Sequence, residues 1–148
     1  MSGSLLDTNV ISSLSPLRAA HDPRLVRWLE EQEAAAAVYL SAMTVQEIAR
    51  GIHLLNTKRA TAKADAISAF LEGLLAGFSD RILPLDTETA REAGRLEAIA
   101  IAAGHSPGAA DAIIAGTASL RGLTVVTHNS RHFLPFGIAL MSPADLPG

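Results

Sequence analysis

Short apolar runs rich in β-formers, Gly3–Leu6, Val38–Ala42, Ile82–Leu85 and Leu123–Thr127, alternate along the chain with longer segments of helical periodicity. A fifth run, Ile138–Met141, follows them. Strands separated by helices cannot pair as tight hairpins. They imply a mainly parallel sheet whose two faces the helices cover. The expected fold is α/β, a three-layer α/β/α sandwich around a central, mainly parallel sheet of four to five strands.

The helical segments carry the matching faces. Pro23–Glu33 sets Leu25, Val26, Trp28 and Leu29 among charged residues, with proline in its first turn. Val45–Leu55 and Ala60–Phe78 predict an α-hairpin, in whose second arm Ile67, Phe70, Leu71, Leu74, Leu75 and Phe78 recur at the spacing of one buried face. Glu88–Ala103 and Ala109–Leu120 continue the alternation, the latter stopped by Gly122. No internal repeat, low-complexity tract or charge block interrupts the 148 residues, so one domain is expected over 1–148.

Composition narrows the functional classes. Hydrophobic residues make up 49% and charged ones 18%, which argues against disorder, and no apolar run reaches the roughly 18 residues of a membrane span. The expectation is a soluble, globular protein without a membrane partner. MSGSLLDTNV has no basic region ahead of its apolar residues, which argues against a cleaved signal. The absence of cysteine excludes disulfides and thiolate catalysis, and fits a cytoplasmic location. A net charge of −3 does not suit a protein held to a polyanion by charge alone, so any nucleic-acid contact must be local. The available cations are Arg50, Lys58, Arg59 and Lys63 in one region and Arg121, His128 and Arg131 in another; an ordinary solvated surface accounts for the same scatter.

Three acids stand where expected strands give way to helices: Asp7 in LLDTNVI, Glu47 in TVQEIARGI and Asp111 in GAADAIIAG. In open parallel sheets functional groups collect at the carboxyl ends of the strands, and Thr127, His128 and Asn129 end the Val125–Val126 strand at the same edge. Like charges drawn together in a cleft repel unless a cation neutralises them, and hard oxygen donors select Mg²⁺ or Mn²⁺. Each acid also has a structural explanation. Thr44-Val-Gln-Glu47 matches a capping box, Asp111 sits where it would complement a helix dipole, and Asp7 precedes Thr8 and Asn9 as a turn or N-cap residue would.

Other chemistries lack their residues. His21, His53, His105, His128 and His132 form no H-E-x-x-H or other compact zinc pattern. There is no G-x-S-x-G elbow, phosphate-binding P-loop or dinucleotide fingerprint. At 4% aromatic residues the chain is poor in the rings that line a sugar groove, and Asn9 stands where a strand-end aspartyl phosphotransferase needs a second Asp. Water attack on a phosphodiester, assisted by a carboxylate-held ion, needs no protein nucleophile.

Taken together, LLDTNVIS, YLSAMTVQEIARGI, ILPLDTETA, GAADAIIAGTA and VVTHNSRHF resemble, in order and approximate spacing over nearly the whole chain, the PIN-domain toxins of the VapC type from bacterial toxin–antitoxin pairs, in their FitB-like branch. The resemblance implies a PIN-like sandwich and a Mg²⁺- or Mn²⁺-dependent endoribonuclease that cuts tRNA or rRNA and arrests translation. It places the metal-binding acids on Asp7, Glu47 (directly or through water) and Asp111. The fourth catalytic position falls on Asn129, a neutral oxygen able to orient water, and a further acidic position falls on His132. Thr8, Asn9 and Thr127 match polar positions that support the acids by hydrogen bonding. RNA contacts are expected at Arg50, Arg59, His128 and Arg131. The same likeness implies a homodimer and a cognate antitoxin of the VapB or FitA kind, forming a heterotetramer or larger assembly that meets operator DNA only through the antitoxin. An antitoxin basic side chain among the carboxylates would replace the cation's charge. With Asn129 in the fourth place, the alternative is a catalytically weakened PIN-like module that binds RNA or protein.

Overall fold

The computed structural model describes residues 3–147. Five strands form one sheet: β1 (Ser4–Leu6), β2 (Val38–Ser41), β3 (Ile82–Leu83), β4 (Thr124–Val126) and β5 (Leu140–Met141). Their order is β3-β2-β1-β4-β5, and all four pairings are parallel. Four strands are one or two residues shorter than expected at one end, and β4 is one residue shorter at each end, because the flanking residues belong to the turns. Leu85, for example, is 46% exposed.

The helices are α1 (Thr8–Ser12), α2 (Pro23–Ala34), α3 (Ala42–Thr57), α4 (Thr61–Phe78), α5 (Thr87–Ala102), α6 (Ala109–Arg121) and α7 (Ser130–Phe133). Among the described residues none is long and apolar enough to cross a membrane. Side chains alternate across a strand, so neighbouring residues serve opposite layers. Leu5 and Val125 pack with Leu96, Ile114 and Phe133 under α5, α6 and α7. Leu6 and Val126 pack with Val10, Leu25, Ile48 and Leu71 under α1 to α4. Full burial of each such side chain contributes about 1.5–3 kcal/mol, and the result is the α/β/α sandwich expected from the alternation.

Two short helices escaped the periodicity reading. In α1, Thr, Asn, Val, Ile and Ser are all middling helix formers, and five residues are too few to show a period. The four residues of α7 carry less still. The α3 helix starts earlier than Val45, because Ser41 is its N-cap and accepts from the Met43 N–H at 3.0 Å. The capping-box explanation of Thr44 and Glu47 therefore fails: the helix is already capped three residues upstream. Gly122 does end α6, with φ of 66° in the left-handed region.

The α5–α6 contact depends on one close approach. A Cβ at Gly116 would lie 2.7 Å from the Ala93 nitrogen and 2.8 Å from its Cα, atoms that can retreat only by moving the helix. Gly116→Ala is expected to destabilise the protein by about 1–3 kcal/mol despite its better helix propensity, as read by urea denaturation.

Candidate metal centre

The chain runs outward from β1 in both directions: β2 and β3 lie to one side, and β4 and β5 to the other. The sheet's switch point therefore falls between β1 and β4, where the diverging loops leave a crevice beyond the strand ends. Asp7 ends β1 and Thr127 ends β4, so the two meet there. The Asp7 N–H donates to the Val126 carbonyl at 2.9 Å, and the Thr127 hydroxyl donates to Asp7 Oδ2 at 2.8 Å.

Asp7 is also the N-cap of α1, its Oδ1 accepting from the Thr8 N–H at 2.8 Å. The capping role is thus real, and it orients the carboxylate. The residue is 6% exposed, and no basic side chain pairs with it among the described residues. Burial pushes its carboxyl up from 3.8 to about 6, further helped by the nearby Asp111 and Glu47 charges, against the pull of the Thr127 and Thr8 hydrogen bonds.

Asp111 enters from the first turn of α6 and is half-buried. Its carboxyl is also pushed up, first by burial and then by Glu47, while His132 acts the other way. The His132 Nδ1 lies 3.7 Å from Asp111 Oδ2. A side chain that can carry positive charge thus stands beside the acid, at the place where the resemblance led one to expect another carboxylate.

Glu47 points into the same crevice from the second turn of α3. The Thr8 hydroxyl lies 2.6 Å from its Oε1 and 2.9 Å from the buried Thr44 hydroxyl, so Thr8 ties α1 to α3. Thr127 serves several groups at once: besides holding Asp7, its oxygen accepts from the Asn129 N–H at 2.9 Å and faces Asn9 Nδ2 at 3.4 Å. Asn9 Oδ1 in turn accepts from the His128 N–H at 3.2 Å.

The donor set is all oxygen, and the two carboxyls are raised first by burial and then by neighbouring acids, a setting that suits a hard divalent cation. Among the described residues no three acidic or imidazole side chains converge on a single point. Asp7, Asp111 and Glu47 are the oxygen groups present that would hold such an ion.

The remaining residues expected at the site divide. Asn129 is exposed at the mouth of a polar pocket that His128, Ser130, Arg131 and His132 also line, and His132 connects that pocket to Asp111. Arg50 and Arg59 are exposed, on α3 and just beyond it, and line neither that pocket nor the crevice. Missed altogether were Ser12, Ser15 and Arg18, which border a cavity beside the crevice, next to Thr8 and Glu47. Their only sequence signal was closeness to Asp7, because the α1 turn that carries them there was not read.

A parallel sandwich with acids gathered at its switch point agrees with the sequence profile of the PIN domain, which matches residues 4–134. The chain belongs to the PIN-domain family. Within it the likeness is to toxins: the sequence is 37% identical to Toxin FitB of Neisseria gonorrhoeae, over 94% of this chain and 96% of that one. Plasmid stability protein StbB of Pseudomonas syringae pv. tomato is 35% identical over the same shares. The crystal structure of FitAcB from Neisseria gonorrhoeae superposes with a TM-score of 0.81 at 39% identity, over 97% of this chain and 99% of the other. DNA-bound VapBC from Salmonella typhimurium follows the same fold, with a TM-score of 0.74 at 26% identity, over 97% and 99%.

Proposed function

We propose that this PIN-domain protein is the toxin of a toxin–antitoxin pair and acts as a Mg²⁺- or Mn²⁺-dependent endoribonuclease on tRNA or rRNA in the cytoplasm. The observation that carries the reading is Asp7: a buried carboxylate with no cationic partner among the described residues, raised to about 6, at the sheet's switch point and under the charge of two further acids. A structural carboxylate is normally paired or lowered, as Glu92 is to about 2 by Arg95 and Ser119.

Asp7 and Asp111 would hold the ion, and Glu47 would support it directly or through water. When bound, the ion supplies Lewis acidity and neutralises charge on the phosphodiester. The chain's own residues do the rest. Thr8 and Thr127 fix the Asp7 carboxylate, Thr8 also restrains Glu47, and Asn129 offers an amide to orient the attacking water. His128 and Arg131 meet the RNA backbone locally, which reconciles an acidic chain with a polyanionic substrate. Arg50 and Arg59, remote from this pocket, serve only an RNA that extends over α3.

The antitoxin is the expected partner, because the FitAB and VapBC neighbours are complexes, and three of those structures contain DNA. For this chain, operator DNA is reached through the antitoxin. The exposed Ile99, Ile101 and Leu120 supply apolar surface suited to a homodimer. The second reading, a weakened binding module, draws on one observation: three acids that do not converge, with Asn129 and His132 in positions open to acids. Purified protein incubated with total tRNA and rRNA separates the two readings. Cleavage with Mn²⁺ that EDTA stops supports the nuclease, whereas RNA binding without cleavage at millimolar Mn²⁺ supports the module.

A further inference from the structure

Beside the acids lies a second cavity of about 350 Å³, between α1, the turn after it, α3 and α4. Its inner wall is apolar, formed by Ile48, Ile67 and Phe70, while Ser12, Ser15 and Arg18 form a polar side. Thr8 and Glu47 belong to both the cavity and the acid crevice, so the two are continuous.

Two details of the cavity wall leave room and a polar contact for an occupant. Gly51 lies in the interior of α3, one turn beyond Glu47, where glycine costs about 1 kcal/mol relative to alanine. A Cβ there would meet nothing within 4 Å, so the missing side chain leaves open space in the wall instead of permitting a close helix contact. Ser15 is only 7% exposed as a residue and borders the cavity, so its hydroxyl is within reach of an occupant.

We propose that this cavity is a nucleobase subsite for the nucleotide adjoining the scissile phosphate, an inference that rests on the nuclease reading above. Unpaired RNA bases are recognised by stacking on aromatic and apolar side chains while polar groups read their edges. Phe70, Ile48 and Ile67 contact the base, the Ser12 and Ser15 hydroxyls read its edge, and Gly51 leaves the room it needs. Arg18 is exposed and has no salt-bridge partner among the described residues, so its charge is available to the adjoining phosphate. A base joined to a phosphate at the acids needs an apolar slot with a cation at its rim, and the cavity offers both.

The test compares oligoribonucleotides carrying an abasic residue on either side of the cut with the unmodified oligonucleotide. Gly51→Leu fills the cavity, and Gly51→Ala is the matched control for helix propensity. On the unmodified substrate Gly51→Leu is expected to lower kcat/KM about tenfold or more, mainly through KM, and to change the base preferred beside the cut. On one of the two abasic substrates that loss shrinks to under about threefold, since the base that would be displaced is missing. Arg18→Ala, at an exposed position that carries no risk to folding, is expected to raise KM about three- to tenfold on both. If Gly51→Leu and Arg18→Ala cut every substrate as the wild type does, the subsite is overturned. The same holds if the Gly51→Leu loss is equal with and without the base. If filling the cavity leaves RNA cleavage unchanged but breaks the complex with a co-expressed antitoxin, the cavity belongs to a protein segment. Wild-type protein that cuts no RNA overturns the nuclease reading itself, a distinct outcome.

Discussion

Asp7→Asn is expected to lower RNA cleavage by at least roughly 10³-fold and to relieve growth inhibition, while leaving the fold at least as stable as the wild type. The first effect follows from the ion. A neutral amide contributes no charge to a divalent cation, and charge stabilisation by a metal is worth several kcal/mol in the transition state. The second follows from burial. Asp7 is 6% exposed, and its carboxyl is raised because the folded protein disfavours the charge. Removing that charge removes a cost; part of the gain is forfeited because an amide can accept from only one of the Thr8 N–H and Thr127 hydroxyl donors. Single-turnover cleavage beside urea denaturation at pH 7.5 without divalent ions checks both halves. A variant that loses activity because it unfolds would contradict the assignment.

The next largest effect is on stability as a function of pH and metal. The folded state holds the Asp7 proton up to about pH 6, whereas the unfolded chain releases it near 3.8. The stability this proton confers is complete below 3.8 and is lost as pH rises through about 6, because over that interval the native state binds more protons than the unfolded one. The displacement corresponds to about 3 kcal/mol. Asp111, raised in the same direction, adds to the loss. Glu92 acts oppositely, its lowered carboxyl contributing stability that disappears only as pH falls from 4.5 towards 2, outside this window. Metal-free protein is therefore expected to lose stability between pH 4 and 6.5, and Asp7→Asn to lose much less. Mn²⁺ at about 100 times its Kd should restore about 2.7 kcal/mol at pH 7.5, roughly 5–11 °C in Tm, and lose its effect below pH 5.5 as the carboxyls protonate. Calorimetric scans of both proteins, with and without Mn²⁺, read the difference. A wild-type curve parallel to that of Asp7→Asn would contradict the shifted carboxyl.

The contrast between these acids shows which parts of the molecule local sequence could reveal. Strand and helix alternation carried the sandwich, because Leu5 and Leu6, or Val125 and Val126, are apolar on both faces as a doubly covered sheet requires. The end-of-strand placement of Asp7 was equally legible, since the carboxyl ends of parallel strands share one edge. What lay hidden was tertiary. Thr44 and Glu47 have capping-box spacing, but the cap is Ser41, and Glu47 is held by a hydroxyl 39 residues away. The pairing of His132 with Asp111 and the link from Thr127 to Asp7 span loops whose course no periodicity encodes. The Ser12, Ser15 and Arg18 border of the base pocket depended on α1, a helix too short to show a period. The strand-end rule grouped the acids, and the motif resemblance gave that group a role.

The most direct measurement of the central claim is the mapping of new RNA 5′ ends in cells that express the chain without an antitoxin, wild type beside Asp7→Asn. The account predicts discrete new ends within tRNA or rRNA for the wild type, coincident with growth arrest, and neither for Asp7→Asn. Growth arrest without new ends, or the same ends from both proteins, would contradict it.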